Sequence, residues 1–148
     1  MTVIEKITHE GQTMAIIVSS GYRSDGINFL TPDDYSLQLA YMSRPQGYQI
    51  QPHIHQLVAR NTLLTQEVLF MRKGRLRVDF YDAEKRYLMS RILGEGDVIM
   101  LITGGHGFEA LEAVEIIEVK QGPYAKEMDK VRFEPVSKEK INFGSTGQ

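Results

Sequence analysis

Apolar and polar positions alternate along much of this chain. In "RLRVDFY", Leu76, Val78 and Phe80 alternate with Arg75, Arg77, Asp79 and Tyr81, the period of two of a half-buried β-strand. Other strand-length runs are "TMAIIVSS", "SLQLAYMS", "QEVLFMRK", "YLMSRIL", "DVIMLI", "HGFEALE" and "VEIIEVKQ". Between them stand turn formers: "GYRSDGINFLTPDDY", Lys73-Gly74, "GEGD" and "TGG". No stretch sustains an amphipathic helix beyond two turns, and the best helical candidate is the short "AKEMDKV". Short strands spaced by roughly eight to twelve residues predict an all-β sandwich or barrel with little helix.

Composition narrows the class. A chain of 148 residues is one ordinary domain, and 42% hydrophobic with 24% charged residues reads as globular. A formal charge of −2 offers no basic footprint for nucleic acid and no polybasic segment for a membrane surface. The absence of cysteine excludes disulfides, thiolate chemistry and cysteine-held metals. The N-terminal residues lack the apolar core of a signal peptide, so a cytoplasmic location is expected. No low-complexity segment divides residues 1–148, which read as a single domain with its core at 34–122 and a partly flexible tail at 135–148. Within that tail, "PVSKEKINF" is expected to lie along the outside of the barrel, anchored by Ile141 and Phe143.

Candidate chemistry centres on "QPHIHQ". In an extended strand, residues i and i+2 share a face, so His53 and His55 project together. Pro52 helps to hold the segment extended. Two parallel imidazoles one strand repeat apart suit two neighbouring positions on one metal ion, or two polar side chains on a solvated face.

Further spacing enlarges the pattern. From Gly47 there are five residues to His53, one to His55, eleven to Glu67 and six to Gly74; later come Gly96-Asp97, "VIMLITGG" and His106. This order resembles the cupin superfamily, whose first motif is a glycine, a His-x-His pair, a glutamate and a glycine, and whose second runs from Gly-Asp to a histidine. The resemblance spans roughly residues 37 to 120 and implies a double-stranded β-helix, or jelly-roll barrel. Three features depart from the family pattern: the eleven residues "QLVARNTLLTQ" where three or four are usual, no proline before Gly104, and a step from Gly104 to His106 one residue short. The first is read as a lengthened turn between two strands, which loop-closure entropy tolerates. Glycines 104, 105 and 107 supply backbone freedom for the other two. "GGHGFEAL" and "EVKQGPY" are similar to segments of small uncharacterised prokaryotic cupins, some encoded among polysaccharide-biosynthesis genes.

The resemblance implies a metal site of His53, His55, Glu67 and His106, with Glu67 also the candidate catalytic group. Three imidazoles and one carboxylate suit one divalent transition ion among Fe, Mn, Ni, Co and Zn, with positions left for water or substrate. Strand parity adds Gln49 and Gln51 on the face of the histidine pair, and Phe108 beside His106. Arg60 in the long turn, and Tyr41, Tyr81 and Lys120 on apolar strands, are substrate-contact candidates set against solvated or snorkelling roles. His9, in the turn "ITHEGQ", is expected at the surface. Three functions compete: a metalloenzyme acting on a small oxygen-rich molecule such as a sugar, keto acid or hydroxy acid; a metal-free sugar isomerase or epimerase with a histidine base; and a non-catalytic binding module. The expected partners are a small molecule and a second copy of the chain, because "TVIEKI" and "TMAIIV" are apolar enough to extend a neighbour's sheet.

Overall fold

The computed structural model describes residues 3–144. Its strands are β1 (Ile4–His9), β2 (Gln12–Val18), β3 (Gly26–Phe29), β4 (Ala40–Ser43), β5 (Glu67–Lys73), β6 (Leu76–Tyr81), β7 (Tyr87–Leu93), β8 (Val98–Leu101), β9 (Gly105–Ala110) and β10 (Glu115–Lys120). Five of them form an antiparallel sheet in the order β1-β2-β8-β5-β10, three form a second sheet β7-β6-β9, and β3 pairs with β4 as a separate ribbon.

The two larger sheets stack face to face. Ile7, Met14, Leu69, Met71, Ile99 and Leu101 of the first interlock with Leu76, Val78, Phe80 and Leu93 of the second in one buried cluster. The core therefore begins ahead of the expected 34–122 span, in the first hairpin. "TVIEKI" and "TMAIIV" are spent inside the chain: β1 pairs with β2, and β2 with the central β8. β8 reads as a continuous apolar run because both its faces are covered, Ile99 and Leu101 by the second sheet and Met100 by a smaller cluster. That outer cluster joins Ile16, Val18, Tyr22, Met100 and Ile102 to Leu30, Tyr35, Leu37, Leu39 and Tyr41 from the segment that holds the ribbon.

This all-β sandwich is not a closed barrel. β9 and β10 each have one paired neighbour, so among the described residues no ladder joins the two sheets along that side. On the opposite side, Arg91 of β7 donates to Glu5 of β1 at 2.5 Å and ties the sheet edges together. "SLQLAYMS" is strand only over Ala40–Ser43, since Leu37 and Leu39 turn into the outer cluster instead. The helical candidate "AKEMDKV" yields a single 3-10 turn, Lys126–Asp129, and no helix among the described residues is long and apolar enough to cross a membrane. The β5–β6 turn needs Gly74, whose φ is +85° and where a Cβ would overlap the Ala113 carbonyl.

β6, expected to be half-buried, is covered on both faces. Asp79 is 3% exposed; Arg77 grips it through Nε and Nη2 at 2.8 and 3.0 Å, and Ser90 Oγ donates to it. Above this cluster runs the C-terminal segment, a strap across the outer face of the second sheet, as the sequence leads one to expect for "PVSKEKINF". Ser90 N–H donates to the Asn142 carbonyl, Asn142 N–H to Tyr87 Oη, and Val136 N–H to Tyr81 Oη. Residues 145–148 of the expected flexible tail lie outside the described residues.

Replacing Asp79 with Ala leaves the buried Arg77 guanidinium with Glu109 as its remaining partner and Ser90 Oγ without its acceptor, and a loss of about 3 kcal/mol in urea unfolding is expected. Hydrogen exchange at Asn142 is expected to rise in the same variant, whereas Asp33→Ala on the exposed surface leaves both readings unchanged.

Candidate functional site

Glu67 opens β5 on the same face as Leu69 and Met71, so strand alternation turns it inward at the end of the core. His106 enters from β9, opposite Phe80, whose ring is buried in that core. Its approach depends on Gly104: φ there is +78°, and a Cβ would sit 2.9 Å from the Tyr81 carbonyl oxygen. His106 Nε2 then stands 3.2 Å from Glu67 Oε2. From β10, Lys120 Nζ reaches 3.6 Å from Glu67 Oε1 and 3.8 Å from Glu118.

These neighbours favour the ionised carboxyl. Hydrogen bonding from His106 draws Glu67 below its usual 4.5; burial opposes it, and the charges of His106 and Lys120 reinforce it. Lys120 is raised, first by Glu118 and then by Glu67. A carboxylate and an imidazole thus meet on the wall of a cavity of about 690 Å³, and the Lys120 ammonium backs the carboxylate from β10. The rest of its wall includes Leu64, Tyr81, Thr103, Arg132 and Phe133. Phe133 stacks edge-on against Tyr81 with ring centroids 4.9 Å apart.

The other expected site residues fall elsewhere. His53 and His55 lie on residues 44–66, an exposed arm without strand pairing. Their rings stay neighbours, centroids 5.1 Å apart, but they do not join Glu67 and His106. The expectation of a paired strand through this pair is therefore corrected: its residues alternate as in a strand, yet no ladder within the chain takes them up. Gln49 and Gln51 are exposed on the same arm, where the Gln51 carbonyl meets His53 Nδ1 at 2.9 Å. Arg60 is exposed and donates to the Val58 carbonyl at 3.5 Å. Tyr41 packs edge-on against Tyr22 in the outer cluster, on the far face of the five-stranded sheet from Glu67. Phe108, 44% exposed, leans on the His106 ring at 5.3 Å. His9 closes the first hairpin and is half-buried beside Glu10.

Among the described residues no three His, Cys, Asp or Glu side chains converge as an ion site. Glu67 and His106 are two donors, and an ammonium shares the carboxylate. Arg132 and Phe133 are among the cavity residues that sequence reasoning misses, because "DKVRFEP" carries neither period nor motif. The one local signal is an aromatic residue beside a basic one, just ahead of Pro135. Comparison with protein-family models, curated proteins and solved structures gives no significant match, so the functional reading rests on these residues.

Because the folded state lowers the pKa of Glu67, its stabilisation is complete above the unfolded value near 4.5 and fades as pH falls through the lower folded value. NMR titration of the Glu67 carboxyl carbon is expected to give a midpoint below 4.5. His106→Ala is expected to raise it further than Lys120→Met, in keeping with the larger influence of the imidazole.

Proposed function

We propose that the cavity binds a small oxygen-rich molecule bearing a carboxylate, of the sugar-acid, keto-acid or hydroxy-acid class, and that Glu67 and His106 move a proton on it. The observation that carries this reading is the 3.2 Å contact between Glu67 and His106 on the wall of the cavity. A carboxylate beside an imidazole orients the ring, and a so-oriented imidazole suits His106 to take and return a proton. On the wall, Lys130 and Arg132, the latter paired with Glu127, supply positive charge for the substrate carboxylate, and Tyr81 and Phe133 offer an apolar aromatic corner. This favours metal-free isomerase or epimerase chemistry, with His106 as base and Glu67 as its partner. The chain order of Glu67, Gly74, Gly96-Asp97 and His106 supports a cupin-type scaffold for it.

A divalent transition metal is the second reading. It is favoured by the existence of two separate two-donor halves, His53 with His55 and Glu67 with His106. It requires the two halves to meet.

Thermal-shift and calorimetric titration with a panel of sugar acids, keto acids and hydroxy acids tests the primary reading. Binding by at least one class is expected, weakened tenfold or more in Lys130→Met. In D2O, wild-type protein is expected to wash deuterium into the C–H beside the ligand's carbonyl or carboxylate, and His106→Asn to abolish this. A panel without any binder, or binding indifferent to both substitutions, would overturn the reading.

A further inference from the structure

The two sheets are unequal, and the mismatch lies beside the site. β7 faces β1 through Arg91 and Glu5, and β9 faces β5 through His106 and Glu67. Three strands therefore span the width from β1 to β5, and β10, beyond β5, has no strand opposite it. The outer edge of β9 is unpaired among the described residues, and its inward-facing Phe108 is 44% exposed. An unpaired edge next to exposed apolar surface is a template for one further strand.

The chain carries a segment with the pattern of that strand and does not use it. Over residues 48–56, Tyr48, Ile50 and Ile54 alternate with Gln49, Gln51, His53 and His55. Ile54 is 92% exposed and Leu63, further along the arm, 90%. Burying such a side chain is worth about 1.5–3 kcal/mol, so leaving several in water is a standing cost. The hydrogen bonds of residues 45–64 are all local among the described residues: Tyr48 N–H to the Pro45 carbonyl, His53 with the Gln51 carbonyl, and Arg60 with the Val58 carbonyl. Both ends of the arm are fixed in the body, by β4 on one side and on the other by buried Gln66, whose Oε1 accepts from Ser36 Oγ and Leu37 N–H. With roughly ten residues running out and ten back at ~3.3 Å each, the arm reaches ~30 Å, the width of a small domain.

We propose that residues 48–56 of one chain pair as a strand on the free edge of β9 in a second copy, and that the exchange is reciprocal. Exchange of an identical element gives a closed two-fold dimer at low energetic cost. Other apolar surface fits a second copy as well. Ile27 and Met42 pair across the ribbon and are both exposed, and Phe70 and Ile117 pair across β5 and β10 and are both exposed. In the exchanged dimer the odd-numbered face of the arm, with Gln51, His53 and His55, meets Glu67, His106 and Lys120 of the other chain. The histidine pair and the carboxylate–histidine pair, separate in one chain, then line one cavity. The pairing does not depend on what the cavity binds, so this inference and the proposed function fail separately.

Cysteine cross-linking tests it, helped by the absence of native cysteine. Two differently tagged chains are co-expressed, one with Gln49→Cys, Gln51→Cys or His53→Cys, the other with Phe108→Cys. Light scattering is expected to give twice the 16.8 kDa of one chain. Mild oxidation is expected to link the two tags for at least one arm position, at least tenfold faster than a control pairing Gln51→Cys with Ile117→Cys. A monomer overturns the proposal. So does a dimer whose arm cross-links no faster than the control, which places the interface elsewhere. A single chain carrying both cysteines that closes on itself as a monomer also overturns it, since the arm then folds back on its own β9.

Discussion

The buried carboxylate of Asp79 is the interaction on which the site side of this protein depends. A charge at that depth is tolerable only when fully paired, and Arg77 and Ser90 complete its hydrogen bonds. Ser90 also meets Tyr87, and Tyr87 holds both the N–H and the carbonyl of Asn142. A polar chain thus runs from the middle of β6 to the strap. The same strap brings Phe133 against Tyr81 and puts Arg132 on the cavity wall. One face of the proposed ligand site is therefore held from beneath the opposite face of the second sheet.

The position of Glu67 follows from a similar compromise. A carboxylate two strand repeats deeper, beside Met71, would be enclosed by Leu76, Val78 and Phe80 with nothing polar in reach. At the first residue of β5 it still lies on the inward face but meets His106 and Lys120, so burial and reactivity coexist. Lys120 is delivered by the register of β10, which sets it directly opposite Glu67. The hairpin through Gly74 and the register between β5 and β10 are as much part of the site as the side chains themselves.

Most of the strands were legible in the sequence because a buried face imposes alternation, and β5, β7, β8, β9 and β10 fall on the runs expected. β6 shows the limit. Its alternation of apolar with charged residues implies a wet outer face, whereas Ser90 of β7 and Glu109 of β9 enclose Arg77 and Asp79 from the flanking strands, and the strap bonded to Ser90 has no periodicity of its own. Glu67 and His106 were legible through the resemblance of their surrounding motifs to the cupin pattern. The setting of His53 and His55 was not, because alternation declares that a segment can be a strand without saying which edge receives it. Tyr41 failed for a related reason: parity assigns a side chain to one face of a strand, but which cluster that face meets is decided by the path of residues 22–41 over the sheet.

Gln66 is 1% exposed and sits where the arm ends and β5 begins. Its amide oxygen holds Ser36 and Leu37, while its own carbonyl accepts from Gln121 N–H. Mechanically it is a fulcrum. Swinging of the arm about this point changes torsions before residue 66 and none after it, so the carboxylate one residue further on keeps its aim. A rearrangement of the arm, such as the exchange requires, would leave the backbone that carries this carboxylate where it is.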